Sequence, residues 1–213
     1  MFADGESEDG WWGHFGVLLH EHDKTKWYPI TLGTANRISS QLANCGAEND
    51  WIIIQTLNNR ILSICPARVQ RLWLLDDAQD QPGEDWELPV DGYEGRPSEF
   101  YQGLEDYMWD GDISKYSDEF KKFLDHFTDD LDFGEDELSE FLLYTKIYDV
   151  KGKEISYWVD ENKIHDLIID IEQDCCSEIF DLSCDNFDSY FPSNNLSMLD
   201  MPLRQVMNAA DRN

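Results

Sequence analysis

Residues 76–140 carry 23 Asp/Glu against four Lys/Arg, so this one stretch supplies about −19 of the chain's net charge of −29. A segment so charged folds only if its apolar residues give it something to bury, because unpaired carboxylates stay in water. Its field also sorts partners: it repels DNA, RNA and anionic membrane surfaces, and it attracts basic proteins and cations. The flanks differ. Residues 1–75 hold six bases and eight acids, and residues 141–213 six bases and 14 acids, the balance of an ordinary soluble protein. With 41% apolar and 13% aromatic residues, the chain of 213 has ample material for a packed core.

The acidic stretch changes character at Pro97. Asp76–Pro97 interleaves its acids with Pro82, Gly83, Pro89, Gly92 and Gly95, which reads as a linker over 76–97. Beyond it, Phe100, Tyr101, Leu104, Tyr107 and Met108 recur at helical spacing, and Tyr116, Phe120, Phe123, Leu124 and Phe127 do so more strictly. A third helix is expected from about Glu135, with Leu138, Phe141 and Leu142 inward. Residues 98–143 therefore read as an acidic helical segment. Its outer faces are expected to carry Glu105, Asp106, Asp110, Asp112, Asp118, Glu119, Asp125, Asp129, Asp130, Asp132 and Glu135–Glu137. Like charges this dense destabilise a helix by roughly a few tenths of a kcal/mol per close pair, so something other than stability maintains them.

Around this segment the chain matches itself at an offset of 126 residues. Thr34–Ile38 falls on Asp160–Ile164, Ile53-Ile54 on Ile179-Phe180, and Ser63–Pro66 on Ser189–Pro192. Alternation in Phe15–Leu19 and Trp27–Leu32 predicts a hairpin, and Lys146–Val150 with Glu154–Val159 predicts its counterpart. Thr34 and Asp160 are suitable N-caps for the helix that follows in each copy. Trp51–Leu57 and Arg60–Cys65, joined by Asn58-Asn59, predict a second hairpin, since asparagine tolerates positive φ. Val69–Leu75 reads as a further strand, and Leu203–Ala210 as a closing helix. The expected fold class is α+β: two similar ββαββ units, 1–75 and 144–213, joined by the linker and the acidic helices. The order of a helix followed by short bent strands resembles, in topology alone, the small Sm-like and SH3-like barrels.

Sites for chemistry are sparse. His20 and His22, two apart on an expected strand, would point to one face as a pair of metal ligands, and with nearby carboxylates they define a metal-enzyme alternative. Asp110-Gly111-Asp112-Ile113-Ser114 begins like a calcium loop but has Lys115 where the turn glycine belongs; Asp130–Gly134 fails similarly. His165 falls on the polar side of its expected helix. Five cysteines, Cys45, Cys65, Cys175, Cys176 and Cys184, show no metal spacing and read as reduced thiols. No nucleophile elbow or phosphate-binding glycine motif occurs. No cofactor and no catalytic residue is assigned.

Three arginines, Arg60, Arg68 and Arg71, gather in the first unit and are expected to pair with the acidic helices. Most tryptophans are expected in the core, with Trp11-Trp12 packed against the body. No apolar run reaches the roughly 20 residues of a membrane span, and the N-terminus lacks the basic start of a signal peptide, so the expected location is cytoplasmic. These features point to a non-enzymatic acidic protein that docks on a basic, nucleic-acid-handling protein, without direct nucleic-acid or membrane contact. An immunity protein against a cationic nuclease and a nucleic-acid mimic are the concrete forms. The expected contact residues are Asp118, Glu119, Asp125, Asp129, Asp130 and Asp132, with Tyr107 and Trp109 as aromatic anchors. The other alternative is a structural or assembly subunit whose acids only solvate it.

Overall fold

Apolar residues build ten antiparallel strands among the described residues, and short turns set the pairing of their hairpins. The computed structural model describes residues 11–46, 50–76, 98–131, 140, 142–172 and 178–205. The first half runs β1 (Trp11–Leu18), β2 (Lys26–Thr31), α1 (Leu32–Asn44), β3 (Ile52–Gln55), β4 (Arg60–Ile64) and β5 (Arg71–Asp76). Then come α2 (Ser98–Asp110) and α3 (Asp118–Leu131). The remainder is β6 (Thr145–Asp149), β7 (Glu154–Tyr157), α4 (Glu161–Glu172), β8 (Ile179–Asp181), β9 (Tyr190–Pro192) and β10 (Leu196–Pro202). The protein is mixed α+β, and among the described residues no helix is long and apolar enough to cross a membrane.

Local signals place several of these elements. Asn59 takes a φ of 55° in the β3–β4 turn, which the Asn-Asn pair permits at little cost. Asp160 caps α4 by accepting from the backbone N–H of Asn162 at 2.9 Å. The first helix starts earlier than expected: Thr31, not Thr34, is its N-cap, and its side chain accepts from the Thr34 N–H at 3.1 Å. After Pro66 and Pro192 the chain makes a single 3-10 turn, at Pro66–Arg68 and Ser193–Asn195, before its next strand.

The strands form a three-stranded sheet ordered β2-β1-β5, a five-stranded sheet ordered β3-β4-β10-β6-β7, and the hairpin β8-β9. The order strand, strand, helix, strand, strand, 3-10 turn, strand thus occurs twice, and β1 lies between β2 and β5 as β6 lies between β7 and β10. Two closed ββαββ barrels do not result. The hairpin β3-β4 leaves its own half and pairs with β10, so the halves share one sheet.

That shared strand is absent from the sequence-based expectations, which pass from a proline turn to a closing helix. All seven residues of β10 are buried, because it lies inside a sheet covered on both faces. On one face Phe15, Val17, Tyr28, Ile30, Ala35, Ile38, Ile52, Ile54, Leu62, Ile64, Tyr148 and Met198 form a core under β1, β2 and α1. On the other, Ile61, Ile147, Leu199 and Met201 meet Ile164, Leu167, Ile168 and Ile171 of α4 and Phe180 of β8. Neighbouring residues such as Ile61 and Leu62, or Met198 and Leu199, serve opposite cores, as the strand pleat requires. Only Leu203–Gln205 of the expected closing helix lies among the described residues, as one helical turn.

One charge pair crosses the middle of this sheet. Arg60 on β4 donates from Nε to Asp200 Oδ1 on β10 at 2.5 Å, with both side chains below a tenth exposed. Its remaining donors reach the carbonyls of Asp200 (2.9 Å), Leu142 (3.3 Å) and Tyr144 (2.8 Å). Tyr28 on β2 donates to the other carboxylate oxygen at 3.0 Å, and burial, with Asp200 beside it, pushes its phenol well above the ordinary range. Of the three arginines expected to pair with the acidic helices, Arg60 reaches that segment through the Leu142 carbonyl, and its ion pair is made with Asp200 of the sheet. Arg68 donates to the carbonyls of Ser193 and Leu196 and lies over the Trp51 ring, while Arg71 lies over the Trp73 ring at 4.9 Å.

Removing one partner of a buried, hydrogen-bonded charge pair leaves the other uncompensated. Asp200→Ala is therefore expected to destabilise the fold by about 3–5 kcal/mol, read as a lowered urea midpoint. Lys26→Ala, which breaks the part-exposed Lys26–Glu154 pair at 3.3 Å, should change stability by less than about 1 kcal/mol. Equal losses would show that the buried network is not the stronger tie.

Candidate functional site

The acidic helices carry a core of their own. Phe100 and Leu104 of α2 pack on Phe120 and Leu124 of α3 and on Leu142, with Tyr107, Met108, Ile113, Tyr116 and Leu143 around them. Tyr116 stacks on Phe120 at 4.6 Å between centroids, and Tyr107 meets Tyr116 edge-on at 5.9 Å. The turn between the helices is tied by Lys115 donating to Asp110 at 2.7 Å and by Asp112 accepting from Ser114. These hydrogen bonds hold the Asp110 and Asp112 carboxyls below the ordinary range. The would-be calcium loop is thus a helix connection organised by a lysine. Ser117 caps α3 by accepting from the Phe120 N–H at 3.1 Å.

The expected contact residues separate in this frame. Asp118, Glu119 and Asp125 are exposed on α3; Asp118 is 94% exposed and meets Lys121 at 3.3 Å, a contact open to solvent screening. Asp129 and Asp130 belong to the last turn of α3, where no basic residue offsets the negative end of the helix dipole. Asp132 lies outside the described residues. Tyr107 is half-buried against Tyr116 and Phe120 and stiffens the helix pair, whereas Trp109 stands 67% exposed.

Glu105, expected on the outer face, is instead 2% exposed. It lines a cleft of about 150 Å³ between the end of α2 and the sheet, together with Trp109, Leu142, Leu143, Trp158, Glu161, Pro202, Arg204 and Gln205. Burial pushes the Glu105 carboxyl up to about 7, and the neighbouring Asp106 adds to this, while Arg204 and Arg60 oppose it. Arg204 is held by Asp106 at 2.7 Å. Trp158 gives no separate signal in the sequence, where most tryptophans look like core; its exposure, at 36%, follows from its place between β7 and α4.

A second cavity, of about 190 Å³, is lined by Lys26, Trp27, Tyr28, Asn58, Arg60, Lys146, Tyr148 and Asp200. Its cations are engaged within the chain: Arg60 with Asp200, and Lys26 with Glu154 and, at 4.8 Å, the Tyr148 ring. The histidine pair does not form. His20 lies in the turn after β1 rather than on a strand, and His22 donates from Nε2 to the Gly152 carbonyl at 2.6 Å. Gly152, at φ 80°, approaches so closely that a Cβ would sit 2.1 Å from the His20 carbonyl oxygen, so the two hairpin turns lock together. His165 is half-buried on α4. Among the described residues no group of three or more His, Cys, Asp or Glu side chains could hold a metal ion. Cys45, Cys65 and Cys184 are free thiols, and burial raises Cys65 and Cys45 above the ordinary range, away from the reactive thiolate; Cys175 and Cys176 lie outside the described residues.

Compared with protein-family models, curated proteins and solved structures, the chain matches none.

Glu105 holds its proton more tightly in the folded chain than in the unfolded one. Its contribution to stability is therefore complete at pH values below about 4.5 and is lost as pH rises through about 7. Glu105→Gln, which keeps the shape of the protonated acid, should match the parent at about pH 4 and exceed it by about 2–3 kcal/mol at about pH 8 in denaturant unfolding. A difference that does not grow with pH would place the carboxyl in water.

Proposed function

We propose that this protein is a non-enzymatic acidic docking protein that occupies a basic, nucleic-acid-handling partner through the α2–α3 layer, as an immunity protein or a nucleic-acid mimic does. The observation that carries this reading is the separation of roles within the chain. The apolar sides of α2 and α3 close on their own core, so Asp118, Glu119 and Asp125 stand outward on a stiff support. Arg60, Arg68 and Arg71 are turned inward or laid on tryptophan rings. Asp118, Glu119 and Asp125 thus stay exposed on the acidic layer, where their field can reach a partner.

Long-range attraction of this kind accelerates encounter and rejects acidic competitors, and it weakens steeply with salt. The charges at the end of α3 oppose the helix dipole, which fits selection for a surface field over helix stability. A mimic of nucleic acid needs spaced negative charge on a rigid frame, and an immunity protein needs the same against a cationic active site.

Capture of partners from host extract tests the proposal. A basic nucleic-acid-handling protein should be retained at about 50 mM salt and released at about 1 M. The triple variant Asp118→Lys, Glu119→Lys, Asp125→Lys should weaken that binding by on the order of 100-fold, with circular dichroism confirming its fold. Retention unaffected by both salt and charge reversal would favour an assembly role in which the acids only solvate.

A further inference from the structure

The cleft between α2 and the sheet combines groups that a solvated acidic surface does not need. Trp109 and Trp158 place two indoles at its rim, 67% and 36% exposed. Exposed tryptophan is costly in water and is the residue type most enriched at binding hot spots. Glu105 and Glu161 supply carboxyl groups to the same walls, and Arg204, the one cation among the described lining residues, is bound by Asp106.

Gln205 adds an independent sign of an occupant. It is 4% exposed, and its Nε2 donates to the Leu143 carbonyl at 3.2 Å. That hydrogen bond settles which end of the amide is which, because the reversed amide would set two oxygens against each other. Its Oε1 is left buried without a hydrogen-bond partner. A buried acceptor without a donor costs roughly 1–3 kcal/mol, so a ligand N–H in the cleft toward which the Gln205 amide turns recovers a penalty already present in the fold.

We propose that this cleft is a recognition pocket for a single arginine side chain of the basic partner, the guanidinium lying against Trp109 and Trp158 and donating to Glu105, Glu161 and Gln205 Oε1. The inference rests on the docking role proposed above and names the group by which the partner is held. A volume of about 150 Å³ suits one side-chain head and falls below the roughly 300–1,000 Å³ of pockets for drug-sized ligands. Arginine fits better than lysine. Its planar head stacks on indole, carries five donors for the several acceptors present, and is less strongly hydrated than an ammonium.

The test is a titration of the full chain, followed by the indole N–H signals, with N-acetyl-arginine amide, N-acetyl-lysine amide and the neutral analogue N-acetyl-citrulline amide. Trp109→Phe and Trp158→Phe assign the two signals. Both should shift saturably with the arginine probe, with Kd on the order of 1–10 mM, and at least about tenfold more weakly with lysine and citrulline. Gln205→Leu should weaken the arginine probe by about fivefold or more. Should that variant not fold, Trp109→Ala, at an exposed position, should abolish the shift of the Trp158 signal.

Equal response to citrulline, or shifts confined to other tryptophans, would overturn the pocket. Equal response to lysine would overturn the choice of guanidinium. The charge-reversed α3 variant separates the two proposals: it should lose the macromolecular partner and keep the arginine probe. Loss of the probe in that variant would show that the general field, and not the cleft, attracts the cation.

Discussion

The pair between Arg60 and Asp200 is the tie on which the arrangement of this protein depends. It joins β4 of the first half to β10 of the second across the central sheet, and Tyr28 brings in β2 through the same carboxylate. The guanidinium also holds the carbonyls of Leu142 and Tyr144, where the chain leaves the acidic helices and enters the sheet. One buried arginine thus connects both halves and the helical layer. A planar head with five donors can do this and an ammonium cannot. Burying the pair is costly in itself, so its value lies in specificity of arrangement: with neither partner able to go elsewhere without an unpaired charge, β4 is held beside β10.

This anchor is one of the ties between the helical layer and the sheet among the described residues. The layer's aromatic core belongs to α2, α3 and Leu142, and Arg204–Asp106 and Gln205–Leu143 add two further links to the body. Such a layer can carry repelling carboxylates because the cost is borne by the helix pair's own packing. The seam it leaves against the sheet is where Glu105 is buried and where Trp109 and Trp158 emerge. The charged face and the cleft are therefore two products of one construction. The face supplies a field that acts over a Debye length, roughly 8–10 Å, and the cleft supplies contacts that act only on touching.

How much of this was legible varies with how local the signal is. The hairpin at Asn58-Asn59, the cap at Asp160 and the apolar stripes of α2 and α3 are properties of a few consecutive residues, and the structure contains them. The α+β class was also readable, but the repeated ββαββ unit is not confirmed, since β3-β4 joins the five-stranded sheet and β8-β9 stands as a separate hairpin. Strand β10 was not readable. Leu196–Pro202 shows no alternation, because both its faces are buried, and Asp200 at its centre looks like a surface residue until Arg60 lies beside it. Glu105 deceives in the same way, as does Trp158 in the opposite direction: a carboxylate is inside and an indole outside, each placed by a neighbour far along the chain.

The chain by itself determined its α+β class, most of its strand and helix segments, the localisation of its negative charge and the aromatic stripes that let the acidic segment fold. These follow from composition and from periodicities of two and 3.6 residues, which need no knowledge of what packs where. Tertiary structure decided that the two halves share one sheet, that the arginines turn inward, and that two tryptophans, two glutamates and a glutamine meet at one cleft. Those outcomes depend on contacts between residues far apart in the chain, such as Tyr28 with Asp200, 172 positions apart, and Arg204 with Asp106, 98 apart. Burial and charge pairing are set by such neighbours, and a single sequence does not state them.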